Sequence, residues 1–169
     1  MTPSLIVRPV APHDLAQVAP LVSGIQRGEF DVPVTIDEQP DLLDPIGFFR
    51  HRAGDFWVAL DGDLVIGTIG VLDVGGGLGV LRKMFVAAEY RGAAIGTAQL
   101  LLETVLAHVD ASGLDEIVLG TTAAYHAAHR FYEKNDFAEV SVAELPAGFP
   151  RMAVDTKFYR RRLPGRLHS

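Results

Sequence analysis

The stretch Tyr90-Arg91-Gly92-Ala93-Ala94-Ile95-Gly96-Thr97-Ala98 joins an apolar run to a long helical pattern. The run before it, residues 80–86, has the composition of a β-strand, and residues 94–111 carry hydrophobic side chains at helical spacing. When a strand runs through small residues into a helix, the first backbone N–H groups of the helix stay free at the positive end of its dipole. The stretch therefore predicts an anion-binding site.

The composition favours one globular domain over residues 1–169. Hydrophobic residues make up 49% of the chain, which is enough for a substantial core. The net charge of −6 argues against nucleic acid as a partner. Because the chain has no cysteine, disulfides, thiolate metal sites and a cysteine nucleophile are excluded.

The sequence carries neither a signal-like segment nor an apolar run of about 18 residues, so we expect a cytoplasmic protein without a membrane partner. Near the C-terminus, Arg160-Arg161-Arg162 and Arg166 form a basic cluster. We expect a solvated basic tail over residues 159–169. A contact between the two copies of a homodimer is the alternative role for this cluster.

Strand and helix patterns follow one another in an order that predicts an α/β (α+β) fold. Strand patterns cover residues 5–7, 55–60, 64–74, 78–86, 117–119, 137–142 and 152–159, and helical patterns start at Pro12, Pro45, Ala94 and Ala123. Residues 29–45, which contain three prolines, predict an irregular loop with one or two short helical turns. Hairpin-linked strands followed by a strand–helix–strand unit predict a mixed, mostly antiparallel, twisted sheet of about six to seven strands. The unit itself predicts a central parallel β-α-β crossover, and we expect helices on both faces of the sheet.

Two sequence motifs, at residues 91–96 and 128–137, each lie at a helix in the predicted order of elements. Arg91-Gly92-Ala93-Ala94-Ile95-Gly96 follows a strand and opens a helix, and Ala128-His129-Arg130-Phe131-Tyr132-Glu133-Lys134-Asn135-Asp136-Phe137 ends the next helix. With the order of elements, they resemble the GNAT superfamily of N-acetyltransferases, whose turn has the form Arg/Gln-x-x-Gly-x-Gly/Ala. The chain departs from that pattern at Ala94 and Asp136, which stand in place of glycine, and at Tyr125, where many members carry Asn. Backbone N–H donors survive at Ala94, and Asp tolerates left-handed geometry better than most residues.

The resemblance implies acetyl-CoA as the cosubstrate and no metal. The N–H groups of residues 92–97 would hold the diphosphate, with charge from Arg91 and a hydroxyl from Thr97. Residues 84–86 would pair with the pantetheine arm where their strand splays from the next one near Val118. A backbone N–H near Phe85 would polarise the thioester carbonyl. The expected cofactor-binding residues are Met84, Phe85, Val86, Arg91, Gly92, Ala93, Ala94, Ile95, Gly96, Thr97, Tyr125 and Phe131.

Tyr132 matches the general acid of the family and is the expected catalytic residue. A phenol with a pKa of about 10 stays protonated at neutral pH and can donate to a departing thiolate. The alternative role for Tyr132 is packing on the buried face of its helix.

The general base stays open at this point. The candidates are Glu29, Asp73, Glu89 and Glu139. A water chain that removes the proton from the amine is the alternative. His126 and His129 lack the partners of a metal site, and we expect both to be exposed or to line the mouth of the CoA site.

These expectations describe an enzyme, an acyl-CoA-dependent N-acyltransferase that acetylates a primary amine of a small molecule by direct attack in a ternary complex. The acceptor would lie under residues 28–45 and near residues 144–150. The acidic composition of the first segment suggests a cationic amine. Two alternatives are a non-catalytic CoA-binding regulatory module and a protein N-acetyltransferase. A long ordered lid over residues 29–45 would count against a protein acceptor.

Overall fold

The computed structural model describes residues 4–164, and within them seven strands form one mixed sheet. The strands are β1 Leu5–Pro9, β2 Asp55–Asp61, β3 Leu64–Asp73, β4 Leu78–Val86, β5 Glu116–Thr121, β6 Ala138–Val140 and β7 Lys157–Arg162. Their order across the sheet is β1-β2-β3-β4-β5-β7-β6. In that part of the chain β4 and β5 are the one parallel pair, and the other neighbours are antiparallel. The fold class predicted from the sequence is therefore confirmed.

Five α-helices and several single turns connect the strands within residues 4–164. The helices are α1 Leu15–Ser23, α2 Pro40–Leu43, α3 Pro45–Phe49, α4 Thr97–Ser112 and α5 His126–Lys134. A π-helical turn, Gly24–Glu29, extends α1, and a 3₁₀ turn, Ile36–Glu38, precedes α2. The irregular loop predicted for residues 29–45 is confirmed. Within residues 4–164, none of the helices combines the length and the apolar character of a transmembrane span.

Alternate residues of β2 show why helices lie on both faces of the sheet. Trp57 and Ala59 belong to the core cluster that contains α4 and α5. The intervening Phe56 and Val58 belong to the cluster that contains α1 and α3. Because β2 is buried on both faces, its interior residues are apolar without alternation.

The C-terminal strands differ from the sequence-based prediction. The last strand begins at Lys157 instead of residue 152, and β6 has only three residues. Arg160-Arg161-Arg162, expected in a solvated tail, instead belong to β7, which lies between β5 and β6. There Arg160 Nε lies 3.3 Å from Glu116 Oε1 of β5, so the strand pairing gives this arginine a partner. The rest of the expected tail, residues 165–169, lies outside the described residues.

A β-bulge in β4 bends the strand beside β5. Lys83 and Met84 together face a single residue of β3, and Lys83 has a φ of 54°. Thr68 Oγ1 of β3 donates a buried hydrogen bond of 2.7 Å to the Lys83 carbonyl oxygen. Since a bulge bends its strand and increases the local twist, this contact stabilises a change of direction in β4.

The strands β4 and β5 pair only at their beginnings. The parallel ladder joins residues 78–80 to residues 116–118. Beyond it, β4 continues to Val86 and β5 to Thr121 without further pairing to each other. The two strands therefore separate toward their C-terminal ends, in agreement with the splay expected near Val118.

We expect Thr68→Val to destabilise the protein by about 1–3 kcal/mol, because the Lys83 carbonyl oxygen loses its buried donor. Thr68→Ser keeps the hydroxyl and serves as the matched control. Urea denaturation followed by circular dichroism measures both. A valine variant as stable as the serine variant would show that this hydrogen bond does not stabilise the bulge.

Candidate functional site

A cavity of about 570 Å³ occupies the space where β4 and β5 separate. Residues 80–86 of β4 form one wall, and residues 119–122, at the end of β5, form the other. At one end it reaches the turn at residues 91–93, and at the other it reaches residues 149–155. The space between the two strands thus connects residues 91–97, the anion turn predicted from the sequence, to residues 149–155.

The turn before α4 presents free backbone N–H groups. The N–H groups of Ile95 and Gly96 donate to the Gly92 carbonyl oxygen, at 3.2 and 3.0 Å. Those of Gly92, Ala93, Ala94 and Thr97 have no backbone acceptor within residues 4–164. The last of these opens α4, at the positive end of the helix dipole. The arrangement can bind an anion through backbone donors alone.

The structure corrects the expected donor set in two respects. Ile95 and Gly96 use their N–H groups inside the turn, so not every N–H of residues 92–97 is free. Ala94, Ile95 and Thr97 do not line the cavity, whereas Gly92, Ala93 and Gly96 do. The helix starts at Thr97 instead of Ala94, because Gly96 takes a left-handed conformation with a φ of 80°. Thr97 is itself buried, and its hydroxyl has no hydrogen-bond partner in the described part of the chain.

Ala94 fits the turn without strain. Two glycines of the turn have positive φ, 103° at Gly92 and 80° at Gly96. Ala94 is not among the residues with positive φ, so a methyl group is tolerated there. Asp136, which replaces the glycine of the second motif, has a φ of 67°, the left-handed geometry that the sequence analysis considered for it.

Arg91 lines the cavity but is already engaged in several contacts. Its Nε donates to the Val86 carbonyl oxygen at 2.8 Å, and its guanidinium forms an ion pair with Glu29. The guanidinium also lies over the ring of Phe30, 5.7 Å from its centroid. Arg91 lowers the pKa of Glu29, which makes this carboxylate a weak base. The pair also ties the end of the π-helical turn to the anion turn.

Positive charge also comes from Lys134, an exposed residue at the end of α5 that lines the cavity. A hydrogen bond of 3.0 Å between Gln99 Nε2 and Asn135 Oδ1 joins the start of α4 to the end of α5. This contact brings Lys134 close to the anion turn.

Met84, Phe85 and Val86 line the cavity as expected, and an aromatic group narrows it beside them. The ring of Tyr125 lies 5.9 Å from the ring of Phe85 and 5.0 Å from that of Phe30, edge to face in both pairs. Burial, with a contribution from the charge of Glu29, raises the pKa of Tyr125 to about 12. In this chain, Tyr125 therefore forms an aromatic wall of the cavity.

Tyr132 and Phe131 of α5 also line the cavity. The ring of Tyr132 is 5% exposed and packs against Phe137 and Tyr159 at centroid distances of 5.5 and 5.8 Å. Its hydroxyl has no hydrogen-bond partner among the described residues, and burial raises its pKa well above the ordinary value. The phenol is therefore protonated at neutral pH and has its proton available for a ligand.

The expected base candidates lie away from the cavity. Asp73 accepts the N–H groups of Ala53 and Gly75 at 3.2 and 2.9 Å, Glu139 lies 3.6 Å from Lys157, and Glu89 is exposed in a 3₁₀ turn.

The carboxylate that does line the cavity, within the described residues, is Asp155. The sequence pattern assigns residues 152–159 to the last strand, whereas residues 152–156 form an irregular turn before β7, and this turn brings Asp155 to the cavity.

A charged cluster lies at the same end of the cavity as Asp155. Lys83 Nζ lies 2.9 Å from Asp41 Oδ2, and Arg82 Nη1 lies 3.7 Å from the same oxygen. Burial lowers the pKa of Lys83, although Asp41 opposes the shift. Arg82 and Lys83 line the cavity and Asp41 does not. The acidic residues counted in residues 28–45 thus do not supply a negative wall for a cationic acceptor.

Residues 29–45, the covering segment, close one side of the cavity. Phe30, Val32, Val34 and Gln39 line it. The buried side-chain amides of Gln39 and Gln26 exchange two hydrogen bonds of 2.9 and 3.0 Å. This reciprocal pair fixes the covering segment to the turn after α1.

The two histidines of α5 differ in their exposure, and only His126 agrees with the expectation. His126 is exposed, but His129 is buried, and its Nε2 lies 2.8 Å from the Thr122 carbonyl oxygen. The expectation that His129 is exposed or lines the mouth was wrong, because the residue packs under the start of its helix. Residues 4–164 contain no group of three or more His, Cys, Asp or Glu side chains suited to a metal ion.

The family model and the curated relatives that match this chain are all described as acetyltransferases or synthetases of an N-acetylated product. A model of the acetyltransferase (GNAT) family matches residues 21–137. The chain is 32% identical over 126 residues to an N-acetylaspartate synthetase of Xenopus tropicalis, covering 72% of this chain and 46% of that protein. It spans about half the length of the curated relatives it matches.

Solved structures agree over nearly the whole chain. An acetyltransferase of the GNAT family from Staphylococcus aureus superposes with a TM-score of 0.91 at 30% identity, over 95% of this chain and all of that one. An acetyltransferase from Streptococcus agalactiae superposes with a TM-score of 0.89 at 28% identity, over 94% and 98% of the two chains.

We expect Gly96→Ala to weaken the binding of coenzyme A about tenfold or more, because a side chain at positive φ costs about 1–2 kcal/mol and disturbs the free N–H groups. Ala94→Gly should leave the affinity within about twofold, since that position needs no positive φ. Isothermal titration calorimetry compares the two. Equal affinities for both variants would contradict an anion site built from this backbone.

Proposed function

This chain belongs to the GNAT family of acetyltransferases, and from that premise we propose that it transfers an acetyl group from acetyl-CoA to a primary amine of a small molecule. The amine attacks directly in a ternary complex. The proposal rests on one observation: a single cavity runs from free N–H groups at a helix start to a buried, protonated phenol.

The diphosphate of acetyl-CoA would bind at the anion turn. The free N–H groups of Gly92 and Ala93, which line the cavity, supply donors, and the dipole of α4 adds positive potential. Arg91 and Lys134, which both line the cavity, supply positive charge. Because Glu29 already pairs with Arg91, the backbone carries most of this recognition.

The pantetheine arm would extend along β4. Beyond residue 80 this strand has no pairing partner on its β5 side within residues 4–164, so its backbone groups can pair with the amides of the arm as an added strand does. A backbone N–H in residues 84–86 would then donate to the thioester carbonyl oxygen as negative charge develops there.

Tyr132 would donate a hydrogen bond to the sulfur of the leaving group. The C–N bond forms, the C–S bond breaks, and the proton that the nitrogen loses passes through water to the thiolate. The pKa of Tyr132 is raised, so it is higher than that of an alkyl thiol, which is about 8.5. The phenol is therefore the weaker acid of the two. The phenol therefore stabilises the thiolate and retains its own proton.

A small acceptor is favoured over a protein acceptor by the covering segment. Buried Val32, Val34 and Gln39 of this segment close the cavity on one side. An extended peptide would require an open groove at that position. The name of one relative, an N-acetylaspartate synthetase, also refers to a small amine.

The direct test incubates the protein with acetyl-CoA and a panel of amines and follows thiol release. We expect release above the hydrolytic background with at least one small primary amine. Tight CoA binding without release for any amine would contradict the proposal and favour a CoA-binding regulatory module. Release with peptides alone would favour a protein acetyltransferase.

We expect Tyr132→Phe to lower kcat by about 10- to 100-fold, because the thiolate loses its donor. Its affinity for CoA should stay near that of the wild type. The hydroxyl has no protein partner in the described residues, so the free energy of unfolding should change by less than about 0.5 kcal/mol. Unchanged turnover in the variant would leave Tyr132 with a packing role only.

A further inference from the structure

The far end of the cavity carries both signs of charge in close proximity. The positive groups are Arg82 and Lys83 on the bulge of β4, and both line the cavity. Among the described residues, the carboxylate that forms ion pairs with them is that of Asp41, which does not line the cavity and is 1% exposed. Both cations approach the same oxygen of Asp41. Asp41 pairs with both cations, and the charges of Arg82 and Lys83 also act on Asp155, so this end of the cavity carries both signs of charge.

Arg82 is held in place by neutral contacts as well. Its Nη2 donates to the Pro150 carbonyl oxygen at 3.3 Å, and its guanidinium lies 5.7 Å from the centre of the Phe48 ring. These contacts fix the fork of the guanidinium at the cavity wall. A fixed guanidinium is suited to a carboxylate, which it binds in a planar, two-point manner.

Asp155 supplies the negative charge in the same region. Its carboxylate lies directly against Gly120 of β5, where a Cβ atom would overlap it. Oδ2 accepts the Met152 N–H at 3.1 Å, whereas Oδ1 accepts no hydrogen bond from residues 4–164. The free oxygen of a carboxylate that lines a cavity is a site for an ammonium group.

We infer that the acceptor is an amino acid, with its ammonium group on Asp155 and its carboxylate on Arg82 and Lys83. This inference rests on the proposed function and names its substrate class. A zwitterion can pair with both signs of charge, whereas a polyamine would place further positive charge beside Arg82 and Lys83. The acidic composition of the covering segment had instead suggested a cationic amine as the acceptor.

Asp155 is then also the proton acceptor. The ammonium transfers one proton to Oδ1, and the neutral amine attacks the thioester carbon. Asp155 later releases this proton to water. Burial raises the pKa of Asp155 above its ordinary value, against the Met152 N–H and the charges of Arg82, Lys83 and Arg151. A carboxylate with a raised pKa is a better base at neutral pH.

The substrate class is tested with matched pairs of acceptors. Each standard amino acid is compared with its amide and with its decarboxylated amine, and kcat/KM is measured by thiol release at saturating acetyl-CoA. We expect at least one amino acid to exceed its uncharged partners about tenfold or more. In Arg82→Gln this preference should fall, through a higher KM for the amino acid and an unchanged KM for the amide.

The outcomes separate the inference from the proposed function. If simple amines react and amino acids do not, the inference is overturned and the acetyltransferase stands. If no amine releases thiol while CoA binds, the proposed function fails and the inference fails with it.

The role of Asp155 is tested by two variants, one that removes its carboxylate and one that displaces it. We expect Asp155→Asn to lower kcat about 100-fold and to remove the acidic limb of the pH profile, which in the wild type lies above the ordinary Asp pKa of about 3.9. Gly120→Ala, which displaces the carboxylate without removing it, should lower kcat similarly.

Asp63→Asn changes an exposed carboxylate in the turn between β2 and β3 and is the matched control for charge. It should keep wild-type kinetics. Wild-type kcat and an intact acidic limb in Asp155→Asn would overturn the assignment of the base.

Discussion

The separation of β4 from β5 is the constraint on which the rest of the structure depends. A parallel ladder that continued past residues 80 and 118 would leave no space between the strands. The bulge at Lys83 bends β4, and the Thr68 hydroxyl satisfies the carbonyl group that the bulge exposes. The strands and the helices on both faces of the sheet hold β4 and β5 apart, and the cavity lies between these two strands.

The two ends of the cavity are built in different ways. The end at residues 91–97 consists mainly of backbone N–H groups, so it tolerates Ala94 as long as Gly92 and Gly96 keep their positive φ. The other end consists of charged side chains, whose identity decides what can bind. An anion site made of backbone groups can persist through sequence change, whereas substitution of a few charged side chains would change what the other end can bind.

Local patterns in the sequence predicted the fold and the anion turn, because each depends on residues that are neighbours in the chain. The charged end depends on Asp41, residues 82–83, Gly120 and Asp155, which are brought together only by the sheet order and the bulge. No spacing or motif links them. The exposure of His129 was predicted wrongly for a related reason. Helical spacing indicates on which face of α5 the residue lies, but its burial depends on the loop residue Thr122, which its ring contacts.

If this backbone turn and the unpaired edge of β4 form one CoA site, coenzyme A must contact both at once. The most direct measurement is a titration of the ¹⁵N-labelled protein with coenzyme A, followed through backbone amide resonances. The account predicts saturable shifts at residues 84–86 and 92–94, with the free N–H groups becoming protected from hydrogen exchange. Saturable binding that leaves these amides unchanged and shifts resonances elsewhere would contradict it.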